Sequence, residues 1–304
     1  MIKLNRVCIP FGLRCNLSCQ YCYRDISRRN LPEDLNELMK NYLEFISPEW
    51  CEALVASGGE PLLYWEKIKN VFEIAESKIH KKIMTNGLLL TNEIVEYCNK
   101  RNIEVQVSHD GSFTKELRGI DILEDPIQKE IIKKVNILRI VSVATNKNCN
   151  VIENYKDTVK KLDGRQNFIF DPCPVFDTPK NDHLIKGFNY EGYRKSMIEY
   201  FEKYQTNTPF YERKSNKRFP AGYGYNVDLH GNIICTETLT KYGTVLDDKK
   251  KLFAAAEKSG DGDACNRNVN CAIRSECCGT KTQASPHVCK ILMIERMIEE
   301  YFSR

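Results

Sequence analysis

The stretch Cys15-Asn16-Leu17-Ser18-Cys19-Gln20-Tyr21-Cys22 places three thiols on one short segment. It comes directly after the first apolar, β-branched segment of the chain, Val7–Phe11, which reads as a strand. Gaps of three and then two residues between the cysteines let a single loop supply three ligands to a cubane iron–sulfur cluster and leave its fourth iron open. A structural zinc site needs a fourth Cys or His, and the loop contains none. We therefore expect a cluster-binding loop at the end of a strand.

The first two-thirds of the chain alternate between strand-like and helix-like segments. The predicted strands are Val7–Phe11, Ala53–Ser57, Lys82–Thr85, Glu104–Ser108, Ile140–Ala144 and Phe168–Asp171. The predicted helices are Leu35–Ile46, Trp65–Glu76, Glu93–Lys100, Ile127–Ile137, Val151–Leu162 and Tyr190–Tyr204. This alternation predicts parallel βα units with right-handed crossovers. Six units are too few to close an eight-stranded barrel, so we expect an α/β fold, a partial (β/α)6 TIM-like barrel, with ligands at the C-terminal ends of its strands.

Composition narrows the class of protein. The 304 residues are 42% hydrophobic and 28% charged, with a formal net charge of +4, which is typical of a globular chain and too weakly basic for a nucleic-acid footprint. No signal peptide and no membrane-spanning apolar run is found, so we expect a cytoplasmic protein with no nucleic-acid or membrane partner. Fourteen cysteines in such a chain point to metal ligation rather than disulfides.

The last third differs in character, and we place a domain boundary between 1–206 and 207–304. Val227–Leu229 and Ile233–Cys235 read as a β-hairpin with Gly231 in the turn. Residues 264–289 carry five cysteines and few apolar residues, so a metal is expected to staple this segment. An amphipathic helix, Ile291–Tyr301, ends the chain.

Three more short motifs lie at the ends of predicted strands. Gly58-Gly59-Glu60-Pro61 follows the second strand, Thr85-Asn86-Gly87 ends the third, and Ser108-His109-Asp110-Gly111 ends the fourth. Each motif alone is weak, but their order and positions together are specific. Over roughly residues 4–206, the chain with its cysteine loop resembles the radical S-adenosylmethionine (SAM) superfamily, in its peptide-modifying branch.

The resemblance implies a chemistry and a set of site residues. Cys15, Cys19 and Cys22 would hold a catalytic [4Fe-4S] cluster whose open iron chelates SAM. Its reductive cleavage would yield a 5′-deoxyadenosyl radical that abstracts a hydrogen atom from a substrate. The implied SAM-binding residues are Tyr21 beside the adenine; Gly58, Gly59 and Glu60 near the amino group; and Thr85, Asn86, Ser108 and Asp110 near the ribose and carboxylate. Arg118 could bind the SAM carboxylate bidentately, or form a surface ion pair instead.

The last third resembles a SPASM or twitch domain, which carries auxiliary iron–sulfur clusters. The candidate ligands are Cys235, Cys265, Cys271, Cys277, Cys278 and Cys289. The pattern departs from that family: Phe219 stands where a first cysteine is expected, and Cys277 and Cys278 are adjacent. Six thiols suffice for one fully ligated four-iron cluster but not for two. We favour one auxiliary cluster, with a second, incompletely ligated cluster or a zinc site as alternatives.

The remaining cysteines are judged one by one. Cys173 lies just past the sixth predicted strand and could return a hydrogen atom to a substrate radical, or be a half-buried spectator. Cys8 is expected to face the core from within the first strand. Cys51, Cys98 and Cys149 read as core or incidental residues.

Three function classes stay open. The first is a radical SAM maturase that crosslinks or epimerises a ribosomally made peptide. The second is a radical SAM dehydrogenase or related enzyme acting on a small molecule. The third is a non-catalytic iron–sulfur or zinc protein. A flavodoxin- or ferredoxin-type electron donor is expected. Because few residues precede the first strand, we expect a peptide substrate to be recognised either by the barrel and its loops directly or with the help of a separate leader-binding protein.

Overall fold

A computed structural model describes residues 4–22, 51–75, 78–175, 178–204, 225–227, 232–235, 241–244 and 247–248, and seven positions between 287 and 301. The chain divides into two compact units. The first comprises residues 1–14, 26–82 and 213–284, and the second comprises residues 15–25, 83–212 and 285–304.

The described residues form strands and helices that alternate along most of the chain. The strands are β1 Leu4–Pro10, β2 Cys51–Ser57, β3 His80–Thr85, β4 Glu104–Ser108, β5 Leu138–Ala144, β6 Ile169–Pro174, β7 Tyr225–Val227, β8 Asn232–Cys235 and β9 Lys241–Thr244. The helices are α1 Trp65–Ile74, α2 Asn92–Lys100, α3 Thr114–Arg118, α4 Pro126–Lys133, α5 Val151–Lys161, α6 Asp182–Ile185 and α7 Tyr190–Tyr204. Short 3-10 helices cover Pro61–Tyr64, Gly111–Phe113, Ile122–Glu124 and Pro179–Asn181.

In the first unit, β1 pairs in parallel with β2, with Cys8 opposite Val55, and in parallel with β7 on its other side. β7, β8 and β9 then continue the sheet as an antiparallel meander. The predicted hairpin is thus confirmed as β7–β8, while β9 was not predicted. Cys8 is 4% exposed in β1, which confirms its expected place in the core.

In the second unit, the strand order is β6-β5-β4-β3, and the β4–β5 and β5–β6 pairs are parallel. The register sets Val143 of β5 opposite Cys173 of β6. Because these strands are parallel, the residues after Ser108, Ala144 and Pro174 emerge at the same edge of the sheet. The parallel βα units expected from the sequence are confirmed.

Side-chain caps explain where several helices begin. Thr91 accepts a hydrogen bond from the Ile94 amide at the start of α2, and Asn150 accepts one from the Glu153 amide at the start of α5. Helix α4 ends at Lys133, before the predicted Ile137, because the Asn99 side chain binds the backbone just beyond this point. Its Nδ2 donates to the Lys134 carbonyl, and its Oδ1 accepts from the Asn136 backbone amide.

The predicted helix Leu35–Ile46 lies outside the described residues, as does most of the cysteine-rich segment. The described positions from 287 to 301 are helical, with Ile291, Ile294 and Ile298 buried, in agreement with a terminal amphipathic helix. No helix among the described residues has the length and apolar character needed to cross a membrane.

Candidate functional site

The three thiols of the first motif lie on a loop that is tied down at several points. Cys15, Cys19 and Cys22 are each half-buried. The Cys22 amide donates to the Cys19 carbonyl at 3.2 Å, and the Leu17 amide donates to Cys15 Sγ at 3.4 Å. Amide-to-sulfur bonds of this kind stabilise a thiolate ligand.

The backbone and the side chain of Gln20 both bind the loop to helix α3. The backbone amide of Gln20 donates to the Leu117 carbonyl at 2.8 Å, and its side-chain Nε2 donates to the Glu116 carbonyl at 2.8 Å. These carbonyls lie in the last turn of α3, where helix carbonyls lack partners within the helix. The loop therefore completes the end of α3 while α3 fixes the loop.

A second anchor comes from the 3-10 helix Pro179–Asn181. Asn181 Nδ2 donates to the Tyr21 carbonyl at 3.1 Å, and Lys180 Nζ donates to the Cys22 carbonyl at 3.2 Å. Asn181 is fully buried. Neither residue is predictable from the sequence, because both lie about 160 positions from the loop and carry no recognisable motif.

Asp110 is the centre of the buried polar network. Its Oδ2 accepts from the Tyr21 hydroxyl at 2.5 Å and from Arg118 Nε at 2.7 Å, and its Oδ1 accepts from the Val143 amide at 2.7 Å. Its own amide donates to the Thr114 hydroxyl at 2.8 Å. Asp110 is fully buried, so both carboxylate oxygens are committed to protein donors.

Arg118 brings a buried positive charge to the cysteine loop. Its guanidinium carbon lies 5.1 Å from the centroid of the Tyr21 ring, and Nη1 lies 4.0 Å from Cys19 Sγ. Burial alone would lower the pKa of Arg118, but the Asp110 carboxylate raises it above its usual value. Arg118 is thus permanently charged, and the surface pairing considered for it is wrong: it is 7% exposed.

The same surroundings set the electrostatics of the loop. Burial raises the pKa of the Cys19 thiol; the Arg118 charge opposes this, while Cys22 and Cys15 add to it. Burial also raises the pKa of Tyr21 well above its usual range. Tyr21 packs in an apolar cluster with Leu117, Val175 and Leu184, against which Cys19 and Val143 also pack.

Asn86 reaches the start of the cysteine loop. Its Nδ2 donates to Asn16 Oδ1 at 2.7 Å and lies 4.0 Å from Cys15 Sγ, while its Oδ1 accepts from the Leu88 amide at 3.0 Å. Thr85 Oγ1 accepts from the Gly87 amide at 3.0 Å. The Thr85-Asn86-Gly87 motif therefore builds its own turn and also contacts the loop. Ser108 is half-buried at the end of β4.

In the first unit, the Gly58-Gly59-Glu60 motif packs on the chain that leads into the cysteine loop. The Gly59 amide donates to the Gly12 carbonyl at 2.9 Å, and the Glu60 amide donates to the Arg14 carbonyl at 2.8 Å. A Cβ on Gly59 would lie 2.2 Å from the Arg14 carbonyl oxygen. The Glu60 carboxylate is buried and accepts from the Leu62 amide at 3.0 Å. Gly59 thus allows a close approach to the backbone of residues 12–14.

The other predicted site residues fall into two groups. Cys173 is half-buried on β6, opposite the residue whose amide binds Asp110. Of the auxiliary candidates, the backbone of Cys235 ends β8. The others lie outside the described residues: Cys265, Cys271, Cys277, Cys278 and Cys289. Cys98 is a core residue as expected, and burial raises its pKa to about 12.

The donor set fits an iron–sulfur cluster. Within the part of the chain that the structure describes, no three His, Cys, Asp or Glu side chains converge closely enough to hold a single metal ion. Cys15, Cys19 and Cys22 are half-buried thiols within one eight-residue stretch, so one multinuclear group could bind all three. Each thiolate of a cubane binds a different iron, so its ligands do not have to converge on a single ion. Three soft thiolates on one loop therefore suit a cluster.

Parts of the chain are similar in sequence to known proteins. Residues 9–156 match the Radical SAM superfamily. The chain is 30% identical to the radical SAM cyclopropyl synthase TigE of Paramaledivibacter caminithermalis, over 40% of this chain and 31% of that protein. It is also 30% identical to the serine-type anaerobic sulfatase-maturating enzyme of Bacteroides thetaiotaomicron, over 38% of this chain and 35% of that protein. The aligned segments thus span about a third of these relatives.

The fold has a solved counterpart. Native anSMEcpe with bound AdoMet and Cp18Cys peptide superposes with a TM-score of 0.70 at 17% identity, covering 98% of this chain and 97% of that chain. At this identity the likeness shows the fold alone, and it confirms the expected α/β partial barrel. The matched segment contains the cysteine loop, all three strand-end motifs and Arg118. Residues 9–156, just under half of the chain, therefore form a radical SAM domain.

Proposed function

We propose that this chain is a radical SAM enzyme that modifies a ribosomally synthesised peptide. The observation that carries the proposal is the three-thiol loop whose Tyr21 and Cys19 contact one buried network around Asp110 and Arg118. This buried network fixes the position of the three thiols, as a loop that binds a catalytic cluster requires. The named relatives that share this domain include maturing and cyclopropyl-forming enzymes.

Under this proposal, Cys15, Cys19 and Cys22 hold the [4Fe-4S] cluster. The SAM-binding set is the one that the motifs nominate: Tyr21, Gly58, Gly59, Glu60, Thr85, Asn86, Ser108, Asp110 and Arg118. When bound, the cluster and SAM supply a 5′-deoxyadenosyl radical able to abstract a hydrogen atom.

The residues of the chain contribute orientation and charge. Asp110 is fully buried and both its oxygens already accept hydrogen bonds from the protein, so it would serve SAM binding by holding Tyr21 and Arg118 in place. The Tyr21 ring packs in the apolar cluster, which excludes water from the inner side of the loop. The Arg118 charge would favour the thiolate of Cys19 and any anionic ligand that enters beside it.

Two arguments favour a peptide substrate. The solved structure with the same fold contains a peptide together with AdoMet, and the last third of this chain resembles the auxiliary-cluster domains common in peptide maturases. We therefore also propose a boundary near 206/207, one auxiliary cluster with ligands among Cys235, Cys265, Cys271, Cys277, Cys278 and Cys289, and a flavodoxin- or ferredoxin-type electron donor. The barrel and its loops, or a separate leader-binding protein, would recognise the peptide.

The radical SAM activity is tested by anaerobic reconstitution followed by dithionite and SAM. Wild-type protein is expected to release 5′-deoxyadenosine, and a Cys15/Cys19/Cys22→Ala variant is expected to release none. Cys149→Ser, which removes a half-buried thiol outside the loop, is the matched control and should keep the activity. Iron analysis should give about eight irons for a catalytic and an auxiliary four-iron cluster. A content of about four irons would exclude the auxiliary cluster. If the wild-type protein released no 5′-deoxyadenosine, the proposed radical SAM activity would be refuted.

The substrate class is tested by co-expression with short peptides encoded beside the gene. Loss of two hydrogens from a peptide indicates a crosslink, while unchanged mass with altered chirality indicates epimerisation. In the second case Cys173→Ala should stop turnover if that thiol returns the hydrogen atom. Uncoupled SAM cleavage with every peptide, together with turnover of an alcohol, would replace the peptide by a small molecule.

A further inference from the structure

Four exposed lysines border the cysteine loop. Lys115 lies on α3, Lys147 on the turn after β5, Lys180 on the 3-10 helix before α6, and Lys186 just after α6. We call these four side chains the lysine patch. We infer that the lysine patch is the docking surface for a small acidic protein that delivers single electrons to the group held by the loop thiols. This inference rests on the proposed function and names the place where the expected electron donor binds.

Lys180 brings positive charge directly to a residue of the thiol motif. Its side chain is exposed, and its Nζ donates to the Cys22 carbonyl at 3.2 Å. The next residue, Asn181, is fully buried and binds the Tyr21 carbonyl, which fixes the backbone from which Lys180 extends. Because an electron passes rapidly only between redox groups that lie close together, a carrier docked over Lys180 would be well placed to reduce a cluster bound at Cys22.

Contacts between the elements make the lysine patch one continuous surface. Lys147 Nζ pairs with the Glu116 carboxylate, and the Glu116 carbonyl accepts from the Gln20 side chain of the cysteine loop. Asn146, the neighbour of Lys147, donates from Nδ2 to the Lys186 carbonyl at 2.7 Å. The backbone at Lys147 therefore adjoins that at Lys186, and the same turn reaches the end of α3 that holds the loop.

The surface around the loop carries an excess of positive charge. Over residues 15–22, 114–118, 146–147 and 179–186, four exposed lysines face only two exposed carboxylates, those of Glu116 and Asp182. Among the described residues, no carboxylate lies within 4.0 Å of the ammonium of Lys115, Lys180 or Lys186. Exposed or half-exposed lysines elsewhere in this unit are paired; these include Lys129, Lys133, Lys161, Lys195 and Lys203. The unpaired charge is thus concentrated beside the thiols.

An acidic electron carrier fits this surface better than another acidic partner. Complexes that pass electrons are small and short-lived, and opposite charges speed their formation and orient the two proteins. An acidic peptide would satisfy the charge, but it would gain nothing from the contact between Lys180 and Cys22. The electron count balances: the flavin hydroquinone anion of a carrier loses one electron and becomes the neutral semiquinone, and the cluster gains that electron. No bond is made or broken and no proton is transferred in this step.

Calorimetric titration of the full chain, free of cofactor, with oxidised flavodoxin tests the docking surface. At about 50 mM NaCl, Lys115→Glu/Lys186→Glu, which alters no side chain that contacts the loop, should bind flavodoxin about tenfold more weakly than wild type. Lys156→Glu/Lys195→Glu makes the same change of charge at exposed positions on α5 and α7 and should bind like wild type. At about 300 mM NaCl the difference should shrink, because salt screens exposed charges.

Three calorimetric results would overturn the docking surface: no binding of flavodoxin to wild type, equal affinity of wild type and the patch variant, or an equal loss in the control variant. Binding of a hexaglutamate peptide in place of flavodoxin would assign the lysine patch to an acidic peptide and would also overturn it. Because the cofactor is absent, these results do not depend on radical SAM activity.

Reduction of the reconstituted protein tests the same surface in the working enzyme. With flavodoxin hydroquinone as reductant, Lys115→Glu/Lys186→Glu should form 5′-deoxyadenosine about tenfold more slowly than wild type. With excess dithionite, a small reductant that needs no docking surface, the two proteins should react equally. Equal rates with flavodoxin, or an equal loss with both reductants, would refute the docking surface. If wild type forms no 5′-deoxyadenosine with dithionite, the proposed function fails, and the calorimetry alone decides the docking.

Discussion

The Tyr21 hydroxyl donates a 2.5 Å hydrogen bond to Asp110 Oδ2, and this bond joins the cysteine loop to the end of β4 across 89 residues of sequence. The same oxygen accepts from Arg118 Nε, whose Nη1 lies beside Cys19 Sγ. One carboxylate oxygen therefore fixes both the aromatic residue before the third cysteine and the cation beside the second. Loop geometry and local charge are set by the same residue.

Tyr21→Phe removes only the donor of this bond. The ring still fills its apolar cluster, and Asp110 Oδ2 keeps its bond from Arg118, so the protein should fold. A hydrogen bond to a charged group contributes about 1.5 to 3 kcal/mol, and we expect a loss near the lower end of that range in chemical unfolding. Tyr204→Phe, at a 41% exposed position, should change the unfolding free energy by less than about 0.5 kcal/mol. Equal losses in the two variants would contradict the structural role of the bond.

Asp110→Asn should cost more, because it leaves the buried Arg118 cation without its counter-charge. We expect a loss of about 3 to 5 kcal/mol, the usual consequence of breaking a buried ion pair from one side. The double variant Asp110→Asn/Arg118→Gln should recover part of that loss, since no buried charge is then unpaired. In the exposed pair Glu191–Arg194, Glu191→Gln should cost less than about 1 kcal/mol. Additive losses in the double variant would show that the two groups are not coupled.

Arg118→Gln tests the electrostatic contact with Cys19 in the reconstituted protein. A cation near a cluster sulfur stabilises the more negative, reduced state. Its removal should lower the reduction potential, by a shift on the order of 59 mV if the one-electron equilibrium changes tenfold. EPR-monitored titration measures this shift. Lys147→Gln removes a cation of the exposed pair with Glu116 and should leave the potential unchanged; a potential insensitive to Arg118 would refute the contact's influence.

The sequence predicts which residues belong to the candidate site but not how their side chains contact one another. The cysteine loop, the strand ends and the parallel order were all predictable, because spacing and β-branched runs are local signals. Tyr21, Asp110 and Arg118 were each nominated as ligands of SAM. That they bind one another was not predictable, since contacts between distant segments have no local signature.

Hydrogen bonds to backbone groups were also not predictable from the sequence. The Val143 amide donates to Asp110 Oδ1, and the Leu117 carbonyl accepts from the Gln20 amide, although neither residue type suggests a role. Lys180 and Asn181 bind loop carbonyls from a short 3-10 helix that no periodicity predicts. Thr114 lies four residues after Asp110, a spacing at which a threonine hydroxyl often binds the nearby backbone. Its hydroxyl accepts from the Asp110 amide and donates to the Gly111 carbonyl.

Acid should weaken the second unit through Asp121. Despite burial, His109 and Lys161 lower the pKa of this carboxyl from 3.8 to about 2. A carboxyl with a depressed folded-state pKa stabilises the fold above its unfolded value, and that contribution is lost as the pH falls from about 4 to about 2. The lost stability is about 2 kcal/mol, from the linkage of 1.36 kcal/mol per pKa unit. Unfolding free energies measured across this range should fall less steeply in Asp121→Asn, and identical slopes would exclude Asp121 as the source.

Gly59→Ala should disturb the entrance to the cysteine loop from the first unit. Its Cβ would lie 2.2 Å from the Arg14 carbonyl oxygen and 2.5 Å from that of Leu13, and backbone atoms cannot yield as a flexible side chain can. Because Arg14 directly precedes Cys15, relief of this clash must move the chain that leads into the loop. We expect a loss of more than about 3 kcal/mol in stability and a reconstituted iron content below that of wild type. Gly164→Ala is the matched control: its φ of +83° is strained for alanine, but no atom lies within 4 Å of the new Cβ. It should cost about 1 kcal/mol and keep the full iron content, because Gly164 follows helix α5 and none of the residues that bind the cysteine loop adjoins it. If the two alanine variants lose stability and iron equally, the close approach of Gly59 to residues 13 and 14 does not shape the loop.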